Sequence, residues 1–206
     1  MTNALNPRDA IAPPKMTLAD YLSYDDGTDS RYELENGELL AMPPESDRNQ
    51  RIASYVFAYL LQLGVPFYCL RIGAEVAVSG TRATVRLPDL MVLSEELAQV
   101  LAGASRSTVM LDMPPPRLVV EVVSPGKANE ERDYRYKRSQ YQARGIAEYW
   151  IIDPMQQKVT VLTLVAGLYE EGVFAGDTEI ASPLLQALGQ SAPLTAAQVF
   201  AAGSQM

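Results

Sequence analysis

The stretch Leu118-Val119-Val120-Glu121-Val122-Val123 constrains the fold more than any other part of the chain. Its apolar residues are mostly β-branched and leave no polar face at period two. A strand apolar on both sides must be covered on both sides, so it belongs in the middle of a sheet with helices packed over it. Arg86-Leu87-Pro88-Asp89-Leu90-Met91-Val92-Leu93 poses the same problem, with a proline interrupting the ladder just before a second embedded acid. An ionised carboxylate buried without a partner costs enough to cancel a domain's stability of about 5–15 kcal/mol. Glu121 and Asp89 must therefore each meet a cation, accept several hydrogen bonds, or hold a proton.

Around these strands the pattern predicts one α/β domain of the α+β kind, built on a single mixed sheet with flanking helices. Residues 1–15 read as a flexible arm. Thr17 caps a short helix, Leu18 to Tyr24, with Asp20 as its capping-box partner. Tyr32 to Ala41 forms an N-terminal β-hairpin about an Asn36-Gly37 turn. Its register puts Leu34, Leu39, Tyr32 and Ala41 on one face and Glu33, Glu35 and Glu38 on a wet one. A helix follows from Asp47 to Leu63. Strands are expected at Phe67–Val78, Val85–Leu93, Leu118–Val123, Glu148–Ile152 and Val159–Val165, with shorter ones over Leu168–Phe174. A softer helix or loop spans Glu95–Ala104. A charged helix runs from Asn129 to Arg144, where Gly145 stops it, and a last helix is capped by Thr195.

Composition narrows the chemistry. The chain has 206 residues, one cysteine (Cys69) and no histidine, so neither an imidazole base nor a cysteine or histidine metal site can be built. At this length folding buries about 70% of the unfolded chain's surface, and no staple is needed. Any metal must be held by oxygen, which selects a hard ion such as Mg²⁺ or Mn²⁺. Two carboxylates from neighbouring strands, one backbone carbonyl and waters would suffice. The alternative for each acid is an arginine or a backbone amide. No signal-peptide pattern or long apolar run is found, which reads as a cytoplasmic protein.

The charged helix adds a third element. Asp133, Lys137 and Tyr141 share one face at i, i+4 and i+8. From Lys127 to Arg144 six bases stand against three acids, a local excess in a chain of formal charge −8. This is the plausible footprint for a phosphate backbone. The competing reading is a solvated face with Glu131–Arg135 and Asp133–Lys137 pairs. Tyr134, Tyr136 and Tyr141 could stack on bases or simply pack; Tyr149 and Trp150 read as core. Ser124-Pro125-Gly126 is a turn leaving the central strand.

Pro88-Asp89, Glu121-Val122-Val123-Ser124, Lys137, Tyr141 and the block Gly145-Ile146-Ala147-Glu148-Tyr149-Trp150-Ile151-Ile152-Asp153-Pro154 together resemble the Uma-type family of bacterial candidate restriction endonucleases, part of the PD-(D/E)XK nuclease superfamily. The hairpin and Met42-Pro43-Pro44 resemble its N-terminal part, so the likeness covers roughly residues 16 to 200. What it implies is a restriction-endonuclease-like core, a single nuclease domain over 16–206. Asp89 and Glu121 would be catalytic metal ligands, joined by the carbonyl of Val122. Val123 stands where the superfamily signature has its lysine; the family generally lacks it too, and Lys137 would stand in. At Asn49 many members have a histidine, and an asparagine there can hydrogen-bond but carries no proton. For the first acidic residue the choice is Glu33, then Glu75. Glu33, Asn49, Ser124, Asp133 and Tyr141 would support the site. The resemblance also implies a homodimer, which suits two-strand cleavage.

The expected function is thus a Mg²⁺- or Mn²⁺-dependent endonuclease hydrolysing nucleic-acid phosphodiesters, with DNA as partner. Two alternatives stand beside it. The acidic pI near 4.6 and the displaced lysine would suit a nuclease fold kept as a non-catalytic binding module. The acidic surface would also suit a hydrolase of small phosphoesters.

Overall fold

Both apolar runs do become strands inside a sheet, but the molecule has two sheets rather than the single one expected. The computed structural model describes residues 15–189 and 193–204. The expected arm therefore lies, except for Lys15, outside the described residues.

In chain order the elements are α1 (Leu18–Leu22), β1 (Arg31–Glu35), β2 (Glu38–Met42), α2 (Asp47–Gln62), β3 (Leu70–Arg71), β4 (Glu75–Val78), β5 (Thr84–Arg86), β6 (Leu90–Val92), α3 (Glu95–Val100) and β7 (Thr108–Val109). There follow β8 (Leu118–Val122), α4 (Lys127–Glu131), a π turn (Arg132–Lys137), α5 (Arg138–Arg144), β9 (Glu148–Asp153), β10 (Lys158–Val165), β11 (Leu168–Ala175), α6 (Pro183–Ala187) and α7 (Ala196–Ala202).

The larger sheet runs β11-β10-β9-β8-β6-β3. β8 and β9 are buried at every position and pair in parallel, Val120 opposite Trp150 and Glu121 opposite Ile151. Each fully buried side chain of this size contributes roughly 1.5–3 kcal/mol. Leu118–Val120 and Tyr149–Ile152 together therefore outweigh any single ionic contact beside them. α2 packs over β8 with Asn49, Ile52, Ala53, Val56 and Leu60 buried at helical spacing. Asn49 is the one polar member of that face.

The smaller sheet runs β2-β1-β5-β4-β7. Its hairpin has the expected register, Leu34 opposite Leu39 and Tyr32 opposite Ala41. Asn36 and Gly37 both take positive φ, 49° and 80°, as a tight two-residue turn requires. The second face of this hairpin is not wet throughout. Glu33 is fully buried, because Arg86 of β5 and Lys137 of the π turn cover it.

Two expected strands are each divided between the sheets. Phe67–Val78 becomes a 3-10 turn (Phe67–Cys69), then β3 in the larger sheet and β4 in the smaller. The break is at Gly73, whose φ of +72° leaves the extended region, so Ile72 faces solvent instead of the core. Val85–Leu93 divides at Leu87-Pro88-Asp89 into β5 and β6, where proline has no N–H for the ladder. The charged helix begins at Lys127 and ends, as expected, at a left-handed Gly145. Its middle is a π turn rather than continuous α-helix.

Candidate active site

The crossings at Gly73 and at Pro88-Asp89 meet beside a cavity of about 750 Å³, which Glu121, Val122, Ser124 and Lys137 also line. The sheet-to-sheet passages thus place Asp89 next to the buried middle of β8. Asp89 Oδ2 accepts the Val122 N–H at 2.6 Å, the amide contact foreseen as one way to satisfy it.

Lys137 is the hub. Its Nζ lies 2.7 Å from Glu121 Oε2, 3.4 Å from Asp133 Oδ1 and 3.6 Å from Glu33 Oε1, with only 1% of the residue exposed. The other Glu121 oxygen accepts the Tyr141 hydroxyl at 2.7 Å. Tyr141 is edge-on to Tyr149, ring centroids 4.9 Å apart, and is fully buried. It cannot stack on a base. Behind Lys137, Glu33 accepts Arg86 Nη1 at 2.8 Å and the Leu87 N–H at 3.0 Å. Asp133 Oδ1 also accepts Arg132 Nε at 3.3 Å. Asn49 Nδ2 donates to the Val122 carbonyl at 3.3 Å and to Ser124 Oγ at 3.2 Å.

Electrostatics follow from burial against charge. Burial pushes the Asp89 carboxyl up to about 6, the Val122 N–H opposing and Glu45 adding to the rise. Burial likewise raises Glu121, against the pull of Lys137 and helped by Asp133, Asp89 and Glu33. For Lys137 burial favours the neutral amine, but Glu121, Glu33 and Asp133 overcome it and keep the ammonium charged. Glu33 goes the other way: burial is outweighed by Lys137, Arg86 and the Leu87 N–H, which hold it at about 2.

Asp89, Glu121, Lys137, Glu33, Asp133, Tyr141, Asn49 and Ser124 are thus brought together in one neighbourhood. Glu75 is not. Its carboxylate is taken up by Arg106, Tyr21 and Thr108 away from this cavity. The basic excess on the charged helix is only partly open: Lys137 is buried, Arg144 donates to the carbonyls of Met110 and Met113, and Arg138 pairs with Glu171, while Lys127 and Arg135 are exposed. Of the helix pairs expected, Asp133–Lys137 forms and Glu131–Arg135 does not, among the described residues. Tyr134 donates to Asp153, and Tyr136 is exposed outside the cavity.

Sequence reasoning missed Arg86, Arg132, Arg31 and Glu45. Arg86 carried a usable signal, since it is a charged residue at the start of the same apolar run that singled out Asp89. Glu45, after Pro43-Pro44, had none; its Oε1 accepts the Ser124 hydroxyl at 3.3 Å.

The chain and its fold have counterparts. Residues 18–197 match the model of the Uma2 family, described as "putative restriction endonuclease". The chain belongs to the Uma2 family. A crystal structure described as a "putative nuclease belonging to DUF820", from Anabaena variabilis ATCC 29413, superposes with a TM-score of 0.67. At 16% identity it covers 92% of this chain and 99% of its own, and it shows the fold. A search of curated proteins found no significant match. Family membership supports a nuclease, and the structural likeness shows the mixed α/β core that the sequence implied. No helix among the described residues is long and apolar enough to cross a membrane.

As a Uma2 protein the chain raises the question of a divalent ion. Among the described residues no three acids stand close enough together to hold a metal as they are placed. Donor type and charge nevertheless fit one. Glu33, Glu45, Asp89, Glu121 and Asp133 outnumber Arg31, Arg86, Arg132 and Lys137, even without Glu35 at the rim. Glu45 Oε2, beside the same cavity, is buried with no hydrogen-bond partner. A surplus of oxygen ligands and negative charge is what a hard dication neutralises.

Proposed function

We propose that this protein is a divalent-metal-dependent endonuclease that hydrolyses phosphodiester bonds of DNA, working as a homodimer in the cytoplasm. The observation carrying this reading is the charged Lys137, 2.7 Å from Glu121 and lining one cavity with Asp89. Mg²⁺ or Mn²⁺, held by Asp89, Glu121 and the Val122 carbonyl, would supply Lewis-acid polarisation of the scissile phosphate and a more acidic water.

The protein's own groups account for the rest. Lys137 supplies a fixed ammonium where negative charge grows on the phosphate, and it can orient the attacking water by hydrogen bonding. Asp133 and Glu33 keep that ammonium protonated and aimed. Tyr141 fixes the Glu121 carboxylate from the side opposite Lys137. Asn49 holds the Val122 carbonyl in place through Nδ2, the task open to an asparagine at this position. Burial keeps water from screening these charges.

One observation favours a second reading, a non-catalytic binding module: both Glu121 oxygens are engaged by the protein itself. Cleavage assays decide between them. Single-stranded DNA, duplex DNA and RNA would be incubated with wild type, Asp89→Ala, Glu121→Ala and Lys137→Met in Mg²⁺ or Mn²⁺. Cleavage by wild type, reduced at least 100-fold in each variant, is expected. Wild type that binds DNA and cleaves nothing would establish the second reading.

A further inference from the structure

The cations at and behind this cavity differ in how they are used. Arg86 is committed to Glu33, Glu35 and Gln140, Lys137 to three carboxylates, and Arg132 to Asp133 through Nε. Arg31, at the start of β1, lines the same cavity and is exposed. Among the described residues its guanidinium has no hydrogen bond and no ion pair. In a chain with 25 acids and 17 bases an unclaimed arginine at a catalytic cleft is worth explaining.

Its seating is specific. A Cβ built on Gly73 would lie 2.5 Å from Arg31 Nη2, so the guanidinium rests in space that any other residue would fill. Gly73 is itself one of the crossings that form the cavity. Beside it the apolar side chains of Ile72, Met42, Pro43 and Pro44 line the same space. A free guanidinium and an apolar wall on one lining, which also carries the acids Asp29 and Glu45, beside the proposed phosphodiester site, suit a strand in which phosphate alternates with sugar and base. A small phosphoester has no second phosphate to use it.

We infer that Arg31 binds a backbone phosphate neighbouring the scissile one, so that the ligand of this cleft is a polynucleotide strand rather than a small phosphoester. This rests on the phosphodiesterase reading of the Asp89–Glu121–Lys137 site. Arg31 donates two hydrogen bonds to phosphate oxygens, a geometry lysine cannot reproduce. The contact carries no base information, so its effect is uniform across sequences.

The test is binding of a labelled 12-nucleotide DNA, single-stranded and duplex, to the full chain carrying Asp89→Asn to prevent cleavage. Affinity is measured from 50 to 300 mM salt with Arg31 intact, Arg31→Ala and Arg31→Lys, and thermal melting confirms that each is folded. Arg31→Ala should bind about tenfold more weakly at 50 mM salt, and the log–log salt slope should fall by about one. Arg31→Lys should restore the slope without the full affinity. Gly73→Ala, which moves the guanidinium but keeps its charge, should weaken binding in the same direction. Binding by Asp89→Asn that is indifferent to Arg31→Ala overturns the inference and leaves the nuclease reading standing. Failure of Asp89→Asn to bind either oligonucleotide at any salt overturns both.

Discussion

Lys137 stays charged in an almost dry setting because Glu121, Glu33 and Asp133 surround it. Removing one partner of a buried ion pair costs about 3–5 kcal/mol, since the other charge is left behind. Lys137→Met should therefore destabilise the protein by about that much at pH 8, and by less at pH 5. Glu121, its carboxyl already raised by burial, takes a proton more readily there. Denaturant titrations at the two pH values check this; equal losses would contradict it. Asp89 and Glu33 have opposite signs. Asp89, raised to about 6, makes the apo protein more stable as pH falls from about 6 toward 4. Glu33, held at about 2, contributes stability that is complete above its unfolded value near 4.5 and is lost as pH falls toward 2. A proton on Asp89 also competes with a cation. With Glu121 raised as well, Mn²⁺ affinity should then drop by about tenfold or more per pH unit below about 6, measurable by calorimetry across pH 5–8.

At the scale of elements, the π turn and the two crossings shape the site. Arg132–Lys137 widens the helix just where Asp133, Lys137 and Arg132 turn toward the carboxylates. Tyr136, in the same turn, is 51% exposed. Tyr136→Ala should change stability by no more than about 0.5 kcal/mol. Deleting Tyr136 instead removes the residue that the π turn accommodates, so the turn closes to α-helix and Lys137 moves from four to three residues beyond Asp133. It should abolish Mn²⁺ binding and lower the melting temperature; a deletion as benign as the substitution would contradict this role. Gly73 acts at a crossing. Alanine there must adopt φ near +72°, at a cost of roughly 1–2 kcal/mol, or about 3–6 °C in melting temperature. These features also mark where the sequence was hard to read. Period-two patterning at Phe67–Val78 is real on either side of Gly73, and no local signal says that the halves join different sheets. Proline 88 gave a visible break, yet not its destination. A π turn leaves the residue types of an α-helix unchanged, so the i, i+4, i+8 face was legible and its distortion was not.

Across the whole molecule, the two sheets and the covering helices turn one acidic chain into a place where carboxylates and cations alternate over short distances. The strands Leu118–Val122 and Glu148–Asp153, the hairpin and α2 were legible because each buries an apolar pattern of the right period. Asp89 and Glu121 were legible because charge in an apolar run demands a partner, and Lys137 because it shares a helix face with Asp133 and Tyr141 and through the family resemblance. The wet face assigned to Glu33 failed for a global reason: burial depends on which other element lands there, here Arg86 and the π turn. The central claim is that this neighbourhood holds a divalent ion through Asp89 and Glu121. Calorimetric titration of Mn²⁺ into wild type and into Asp89→Ala/Glu121→Ala at pH 7.5 tests it most directly. The account predicts saturable binding to wild type that vanishes in the folded double variant; the same isotherm for both proteins would contradict it.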